Sequence, residues 1–337
     1  MTAQQTQSSE RPVSPDEILA VVPVLNEARY IEACIRSLMT GANRLQDVAL
    51  TIVDGGSTDD TVAIVQRLQA EFPNLRLAHN PKRLQAAAVN LAVVQFADAK
   101  TRFMVRCDAH SVFPPDFILD VVSALARTKA SSVVIPMDAV GATCFEKANA
   151  WIVDTPLGSG GSAHRGGRKS GFVDHGHHAG FDLATFRAVG GYDETFSHNE
   201  DAEYDERVIQ QGGKIFLDAT IRKAYHPRGT ISSLARQYFN YGKGRARNAF
   251  KHKRPLKVRQ ALPILAFLGS VLGLVVSPFF WPALILPAGY VSILLLASIF
   301  IAISKRSPCG LLSGVASGTM HMSWAVGFLV QASRQWR

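Results

Sequence analysis

No acidic residue follows Asp218 in this chain of 337 residues, although 27 Asp and Glu side chains lie at or before that point. Sixteen of the 36 Lys and Arg residues come after it, leaving 20 cations against 27 anions before it. The first part therefore carries about −7 and the remainder +16. A tail with cations and no anions suits a membrane surface or a polyanionic ligand, nucleic acid among them. Cysteine is also scarce. Cys34, Cys107, Cys144 and Cys309 are far apart and form no CxxC. That spacing argues against a disulfide framework or zinc ribbon and makes reduced thiols in a cytosolic setting the expectation. No GxGxxG follows the first strand-like run and no GxxxxGK[ST] occurs, so the main signals of dinucleotide dehydrogenases and P-loop nucleotidases are missing. Residues 1–16 are polar, lack the apolar stretch of a cleavable leader, and read as a disordered lead-in.

What the tail has instead is apolar length. Residues 261–303 run 43 positions without a charge, room for two helices of the ~20 residues that span a bilayer. "SPFFWP" marks the break: Pro278 and Pro282 favour a turn, while Phe279, Phe280 and Trp281 suit the membrane interface. Spans are expected over 261–280 and 283–303, within a membrane domain of 261–331. A third, weaker one is expected over 309–330, where Gly310, Gly314 and Gly318 recur at small-xxx-small spacing. This apolar run argues against nucleic acid as the partner of the basic tail. "KGRARNAFKHKRPLKVR" precedes the first span, and Lys305 with Arg306 follows the second. The positive-inside rule then places both loops, and the large preceding domain, on the cytoplasmic side of a multi-pass protein in the inner (plasma) membrane. Residues 221–260 read as a basic amphipathic segment lying at the interface.

Residues 17–220 alternate short apolar runs with helical patterns. Strands are expected over 18–24, 48–53, 75–78 and 101–106, with helices over 29–38, after 57 or 58, and over 84–96. This rhythm points to an α/β domain with a mostly parallel sheet and helices on both faces. Ligands on such sheets bind beyond the carboxyl ends of the strands, where Asp54 and Asp108 are expected.

Several short patterns fall at those ends. In "VDGGSTDD", Asp54 could accept hydrogen bonds from a base or sugar, and Gly55 and Gly56 would let the backbone approach a ligand; a strand-to-helix turn with a capping acid is the plainer alternative. In "CDAH", Asp108 and His110 could ligate one Mg²⁺ or Mn²⁺ whose shell waters and phosphate complete. "FVDHGHHAGF" lacks a fourth ligand at zinc spacing, so a polar pocket wall fits better. The glycine-rich "TPLGSGGSAHRGGRKSG", with Arg165, Arg168 and Lys169, reads as a lid over an anionic ligand or as a plain flexible loop. "HNEDAEYDERV" puts Glu200 and Asp201 at a helix start, where acids suit the dipole and a positioned carboxylate can take a proton from a hydroxyl. In "QYFNYGKGRARN", Lys243 and Arg245 suit diphosphate capture, and Gly242 and Gly244 are out of place in a simple surface helix.

Taken in order, "PVLNE", "DGGSTDDT", "CDAH", "GGYDE" and "NEDAEYD" resemble the family 2 glycosyltransferases of GT-A fold, over residues 18–248. "VDHGHHAGFDLATFRAVGGYDETFSHNEDAEYDERV" and "QYFNYGKGRARN" are more narrowly similar to the succinoglycan-biosynthesis enzymes of the ExoA type. The resemblance implies transfer of glucose from UDP-glucose to a polyprenyl-diphosphate-linked saccharide in exopolysaccharide biosynthesis, with inversion. Pro23, Val24, Glu27, Asp54, Lys82 and Asp108 would then contact the nucleotide sugar, and Asp108 with His110 the metal. His110 stands where the family's motif usually has a second carboxylate. Asp201 would be the base, supported by Glu200; Lys243 and Arg245 would hold the leaving diphosphate; Arg165, His177 and His178 would face the acceptor or form the lid. "YGKGR" stands in place of QxxRW, which implies a single addition rather than polymer synthesis. Transfer to a polyprenyl monophosphate, or a non-enzymatic membrane scaffold with a degenerate nucleotide-binding domain, are the alternatives.

Overall fold

The computed structural model describes residues 13–162, 165 and 167–335. Most of the expected lead-in, residues 1–12, lies outside them. Its last residues are ordered: a 3-10 turn at Pro15–Glu17 buries Glu17, which pairs with Arg102 at 3.0 Å.

The first half follows the expected rhythm: β1 (Ile18–Val24), α1 (Ile31–Leu38), β2 (Ala49–Asp54), α2 (Thr61–Gln69), β3 (Leu75–His79), α3 (Gln85–Phe96), β4 (Phe103–Arg106) and α4 (Phe117–Thr128). β1 and β2 are apolar on both faces because helices cover both. β3, β2, β1 and β4 are parallel neighbours, in a register that sets Val24 opposite Asp54, Asp54 opposite His79 and Val21 opposite Arg106. Their carboxyl ends therefore form one edge, with Asp54 and Asp108 along it.

The second half is mixed. It comprises β5 (Ser132–Ile135), β6 (Met137–Ala139), α5 (Cys144–Val153), α6 (Pro156–Ser159), β7 (Gly171–Val173), β8 (His177–Asp182), α7 (Leu183–Ala188), α8 (Glu200–Gln210), β9 (Ile215–Leu217) and β10 (Lys223–Tyr225). β8 lies antiparallel between β4 and β5, and the sheet order is β3-β2-β1-β4-β8-β5-β9-β7. β6 and β10 form a separate parallel pair. The antiparallel β8 carries His177 and His178 to the edge reached by β4.

Four helices follow: α9 (Ile231–His252), α10 (Val258–Val276), α11 (Ile285–Ser304) and α12 (Ser313–Gln335). α10, and the segment Trp281–Ser304 that contains α11, are long and apolar enough to cross a membrane, with mean hydropathies of 1.7 and 2.4 and little of either buried. The bend between them falls at the expected prolines, with Phe279 92% and Trp281 78% exposed. The segment expected as a third span behaves differently. One side of α12 meets α11 through the predicted small residues, Gly314 against the Leu294 carbonyl and Gly318 against the Leu294 side chain. Its other side meets α9, where Gly242 faces the Trp324 carbonyl and Gly327 the Phe239 carbonyl, each so close that a Cβ would collide. Ile152, Leu234, Ile301, Ala316 and Met320 form a small core shared by α5, α9, α11 and α12.

Three expectations need correction. Residues 221–260 are not a separate interfacial segment: β10 pairs with β6 of the preceding α/β part, and α9 is buried at Leu234, Gly242, Gly244, Ala246 and Asn248. The basic tail is partly neutralised by the domain itself, since Lys251 pairs with Asp193 and Glu203 at 2.6 Å and Arg254 with Glu206 at 2.5 Å. Cys144 and Cys309 are joined in a disulfide, tying α5 to the turn between α11 and α12, whereas Cys34 and Cys107 are free and buried. A separation of 165 residues leaves no local pattern by which that pair could be recognised.

Gly327→Leu should push α9 from α12, a case of overpacking that costs about 1–3 kcal/mol or more. Thermal unfolding in detergent should show a clear fall in midpoint; an unchanged midpoint would mean that the close approach is not needed.

Candidate active site

Two turns at the sheet edge hold each other. Asn26 adopts a left-handed φ of 57° after β1, and its Oδ1 accepts from the Thr58 amide at 2.8 Å. The Asn26 amide donates to Ser57 Oγ, and the Glu27 amide to Thr61 Oγ1, both at 2.8 Å. Asp54 is buried, and its carboxylate accepts the Gly56 amide at 2.9 Å and the Ser57 amide at 3.1 Å. Gly56 sits at φ +83°, a conformation that β-carbon residues avoid. "PVLNE" and "DGGSTDDT" are thus two halves of one stitched loop, with Pro23 and Val24 at its base.

Asp108 follows β4 at the same edge. Lys223 of β10 pairs with its Oδ2, and His177 Nε2 lies 3.1 Å from that same oxygen. Burial pushes the Asp108 carboxyl upward, but Lys223 and then His177 outweigh it and hold the group well below the usual range. For His177, burial and then Lys223 lower the ring to about 4, so it meets Asp108 as a neutral donor. His110 turns Nδ1 toward Glu27 Oε1 at 3.3 Å, and that contact raises its pKa. Asp108 Oδ1 and His110 Nε2 have no partner among the described residues and both side chains line one cavity. One carboxylate oxygen and one imidazole nitrogen fit a divalent cation that takes its other ligands from phosphate and water. Among the described residues no group of three His, Cys, Asp or Glu side chains could hold a metal ion unaided.

The α8 carboxylates occupy opposite situations. Asp201 Oδ1 accepts from Arg106 Nη1 at 2.6 Å and Tyr192 Oη at 2.8 Å, and Arg106 Nη2 reaches Oδ2 at 3.3 Å. His178 bridges Asp201 through Nδ1 at 3.1 Å and Asp205 through Nε2 at 2.7 Å. Burial opposes charge on that ring, but Asp205 and then Asp201 raise it to about 9, which makes it an imidazolium at neutral pH. Burial likewise opposes charge on Asp201, yet Arg106 and then His178 hold it well below the carboxylate range. The Glu200 carboxylate has no side-chain donor among the described residues, only its own backbone amide; burial and then Asp201 push it up to about 7.

Part of this set lines a cavity of about 790 Å³, whereas Pro23, Val24, Glu27 and Asp54 of the stitched loop lie outside its lining. Arg106, Asp108, His110, His177, Glu200 and Asp201 line it together with Arg165 and Arg245. α9 presents Gln237, Tyr238, Tyr241 and Arg245, which recur every three or four residues on one helical face. Leu262, Pro263 and Ala266 of α10, Tyr290 and Ile293 of α11, and Trp324 of α12 complete the wall.

The family model for Glycosyl transferase family 2 matches residues 19–190. The succinoglycan biosynthesis protein ExoA of Rhizobium meliloti (strain 1021) is 40% identical over 94% of this chain and 96% of its own length. The chain is a family 2 glycosyltransferase. A dolichyl N-acetyl-alpha-D-glucosaminyl phosphate 3-beta-D-2,3-diacetamido-2,3-dideoxy-beta-D-glucuronosyltransferase of Methanococcus voltae is 24% identical over 67% of this chain and 71% of its own. Among solved structures, a mannosyltransferase from Pyrobaculum calidifontis, in complex with GDP-Man and Mn²⁺, superposes with a TM-score of 0.58 at 18% identity, over 96% of this chain and 90% of that one. The fold is GT-A, as the motif order implies.

Several expected site residues of this glycosyltransferase lie elsewhere. Lys82 is exposed and pairs with Glu194 at 2.5 Å. Lys243 is outside the cavity lining, 5.8 Å from the Phe239 ring. His178 is fully buried between two aspartates, so it cannot face an acceptor. Asp201 does line the cavity, but three donors hold its Oδ1, while Oδ2 accepts only Arg106 Nη2 at 3.3 Å. Gly242 and Gly244 serve close packing rather than ligand approach: Gly242 abuts α12, and a Cβ on Gly244 would meet Asn199 Nδ2 and the His198 carbonyl at the start of α8. Within "TPLGSGGSAHRGGRKSG", residues 163, 164 and 166 lie outside the described residues. Sequence reasoning missed Arg106, Tyr192 and Lys223. An arginine inside the apolar strand "FMVR" was a usable signal, because a buried guanidinium needs a carboxylate.

Arg106→Met strands Asp201 without its main partner in a buried setting, a change that typically costs about 3–5 kcal/mol. Denaturant unfolding should show that loss, and the Arg106→Met, Asp201→Leu pair should recover part of it; a single variant as stable as the parent would remove the pair from its structural role.

Proposed function

We propose that this glycosyltransferase moves one sugar, glucose from UDP-glucose, to a hydroxyl of a polyprenyl-diphosphate-linked saccharide during exopolysaccharide assembly at the cytoplasmic face of the inner membrane. One observation carries the reading: a single cavity holds a carboxylate poised near neutrality, Glu200, a ligand-competent Asp108, and a wall made by two helices apolar enough to cross a bilayer. The 40% identity to a protein named for succinoglycan biosynthesis supports the pathway, and the GDP-Man of the archaeal mannosyltransferase supports a nucleotide-sugar donor.

The donor's uridine fits the stitched loop of Val24, Glu27 and Asp54, with its diphosphate directed toward Asp108. Asp108 and His110 would hold Mg²⁺ or Mn²⁺, which when bound supplies positive charge to the departing diphosphate. Glu200 takes the proton of the acceptor hydroxyl while that oxygen bonds to the anomeric carbon. The bond to the diphosphate breaks and UDP leaves with its electron pair. One displacement inverts the centre, so an α-linked donor gives a β-linked product. Arg106, Tyr192 and His178 hold Asp201 ionised, and its negative charge keeps Glu200 basic enough to act.

A base near pKa 7 must lose its proton before it works, so kcat/KM should rise with pH through about 7 and level above it. Glu200→Gln should abolish that limb and lower kcat by about 10²–10⁴-fold with UDP-glucose affinity retained. If Glu200→Gln turns over normally while folded Asp201→Asn is inactive, Asp201 is the base.

Asp108→Asn keeps the side-chain volume and one oxygen but removes the negative charge of the ligand. UDP affinity measured against Mn²⁺ concentration should weaken by about tenfold or more, with little change in metal-free buffer. Equal loss with and without metal would take Asp108 out of the metal site.

A further inference from the structure

The cavity extends past the carboxylates into a region that the transfer step does not use. Arg165, Arg228, Arg245 and Arg259 line it, from the glycine-rich loop, the segment after β10, α9 and the first turn of α10. No side-chain hydrogen bond or ion pair joins any of the four to another described residue. Nη1 of Arg165 is sealed from solvent without an acceptor, its guanidinium resting 5.0 Å from the Tyr225 ring. Burial and then Arg259 lower the pKa of Arg245, and the more weakly acting Asp205, Asp174 and Glu206 do not offset them. Arg165, Arg245 and Arg259 are half-buried and Arg228 is exposed; unpaired guanidiniums gathered in one open cavity form a site for a polyvalent anion.

Two anions could claim it, the donor's diphosphate or one on the acceptor. The surroundings favour the acceptor. Asp108 is paired with Lys223 and with His177 at 3.1 Å, whereas Arg245 on α9 and Arg259 on α10 have no ion pair among the described residues and line the cavity beside the apolar helices. The same cavity wall turns apolar at Leu262, Ala266, Ile293 and Trp324, on helices whose outer faces are exposed hydrocarbon. A ligand with a doubly charged head and a branched hydrocarbon chain satisfies both parts at once.

We propose that Arg165, Arg228, Arg245 and Arg259 hold the diphosphate of an isoprenyl lipid, and that its chain leaves the cavity along Ala266 and Ile293 into the bilayer. This rests on the lipid-linked acceptor of the function proposed above, and it assigns Arg245 to the acceptor rather than to the leaving UDP. The anchored diphosphate sets how far the acceptor sugar reaches, which places its hydroxyl at Glu200.

The test is calorimetric, on the full chain in detergent, with four probes: geranylgeranyl diphosphate, geranylgeraniol, inorganic pyrophosphate and UDP. Geranylgeranyl diphosphate should bind at least about tenfold more tightly than either pyrophosphate or the alcohol, since it alone fills both regions. Arg165→Gln with Arg245→Gln should weaken it by about tenfold or more while UDP affinity changes little. Ile293→Trp, which leaves every arginine in place, should weaken the lipid but not pyrophosphate, and serves if the arginine variant does not fold. Loss of UDP affinity in the double arginine variant would assign the cluster to the donor and overturn the proposal. So would a lipid diphosphate that binds no better than pyrophosphate. If all binding results hold but no sugar is transferred to a lipid-linked acceptor, this site stands and the transfer reading falls.

Discussion

The buried contact between Arg106 and Asp201 is the constraint from which the catalytic arrangement follows. Arg106 ends β4 with its side chain 1% exposed, and a guanidinium so placed must have a carboxylate. Asp201 supplies it from the first turn of α8, which fixes that helix against the sheet. Tyr192 and His178 complete the shell around the same carboxylate. The consequence is chemical as well as structural. Arg106 and His178 hold Asp201 ionised, and its neighbour Glu200, without a side-chain donor among the described residues, is pushed toward neutrality by burial and then by that charge. Two adjacent carboxylates thereby acquire different tasks from their surroundings alone.

α9 is the second constraint, because one helix faces three ways. Gly244 lets it touch the loop that starts α8, and Asn199 returns a hydrogen bond to the Tyr241 carbonyl at 2.8 Å. Gly242 lets it seat on α12, and the face bearing Tyr241 and Arg245 opens on the cavity. Any side chain larger than hydrogen at 242 or 244 would separate the catalytic carboxylates from the apolar helices. The three-residue spread of "GKG" thus encodes contact with both halves of the molecule.

The fold was largely legible in the sequence because period and turn chemistry are local. The four parallel strands, the helix starts and the "SPFFWP" bend lie within a few residues of their expected positions. The mixed second half was not, since β8 inserts between β4 and β5 by pairing that no local pattern announces. The same division runs through the site. Asp54, Asp108, His110 and Glu200 could be singled out because they lie at or just beyond strand ends or start a helix. Asp201 was found, but its partners were not, because they come from residues 95 and 23 positions away along the chain. Lys223 and the Cys144–Cys309 bond escaped for the same reason: each depends on a partner more than a hundred residues distant.

The uneven charge of the sequence has a structural resolution with two parts. Some cations beyond Asp218 meet acids of the catalytic half: Lys251 meets Asp193 and Glu203, Arg254 meets Glu206, and Lys257 meets Asp174. These pairs clamp the end of α9 and the start of α10 onto the domain. Arg228, Arg245 and Arg259 belong to the same basic stretch, yet they form no ion pair among the described residues and line the cavity, where Arg165 joins them from the other half of the chain. Pairing would have been available, because acids lie close enough to act on Arg245 electrostatically. Cations that stay unpaired beside available anions are held ready for a ligand, and their position at the mouth of apolar helices says which kind. The bias of the tail is therefore part clamp and part binding site, and only the second part needs a partner from outside the chain.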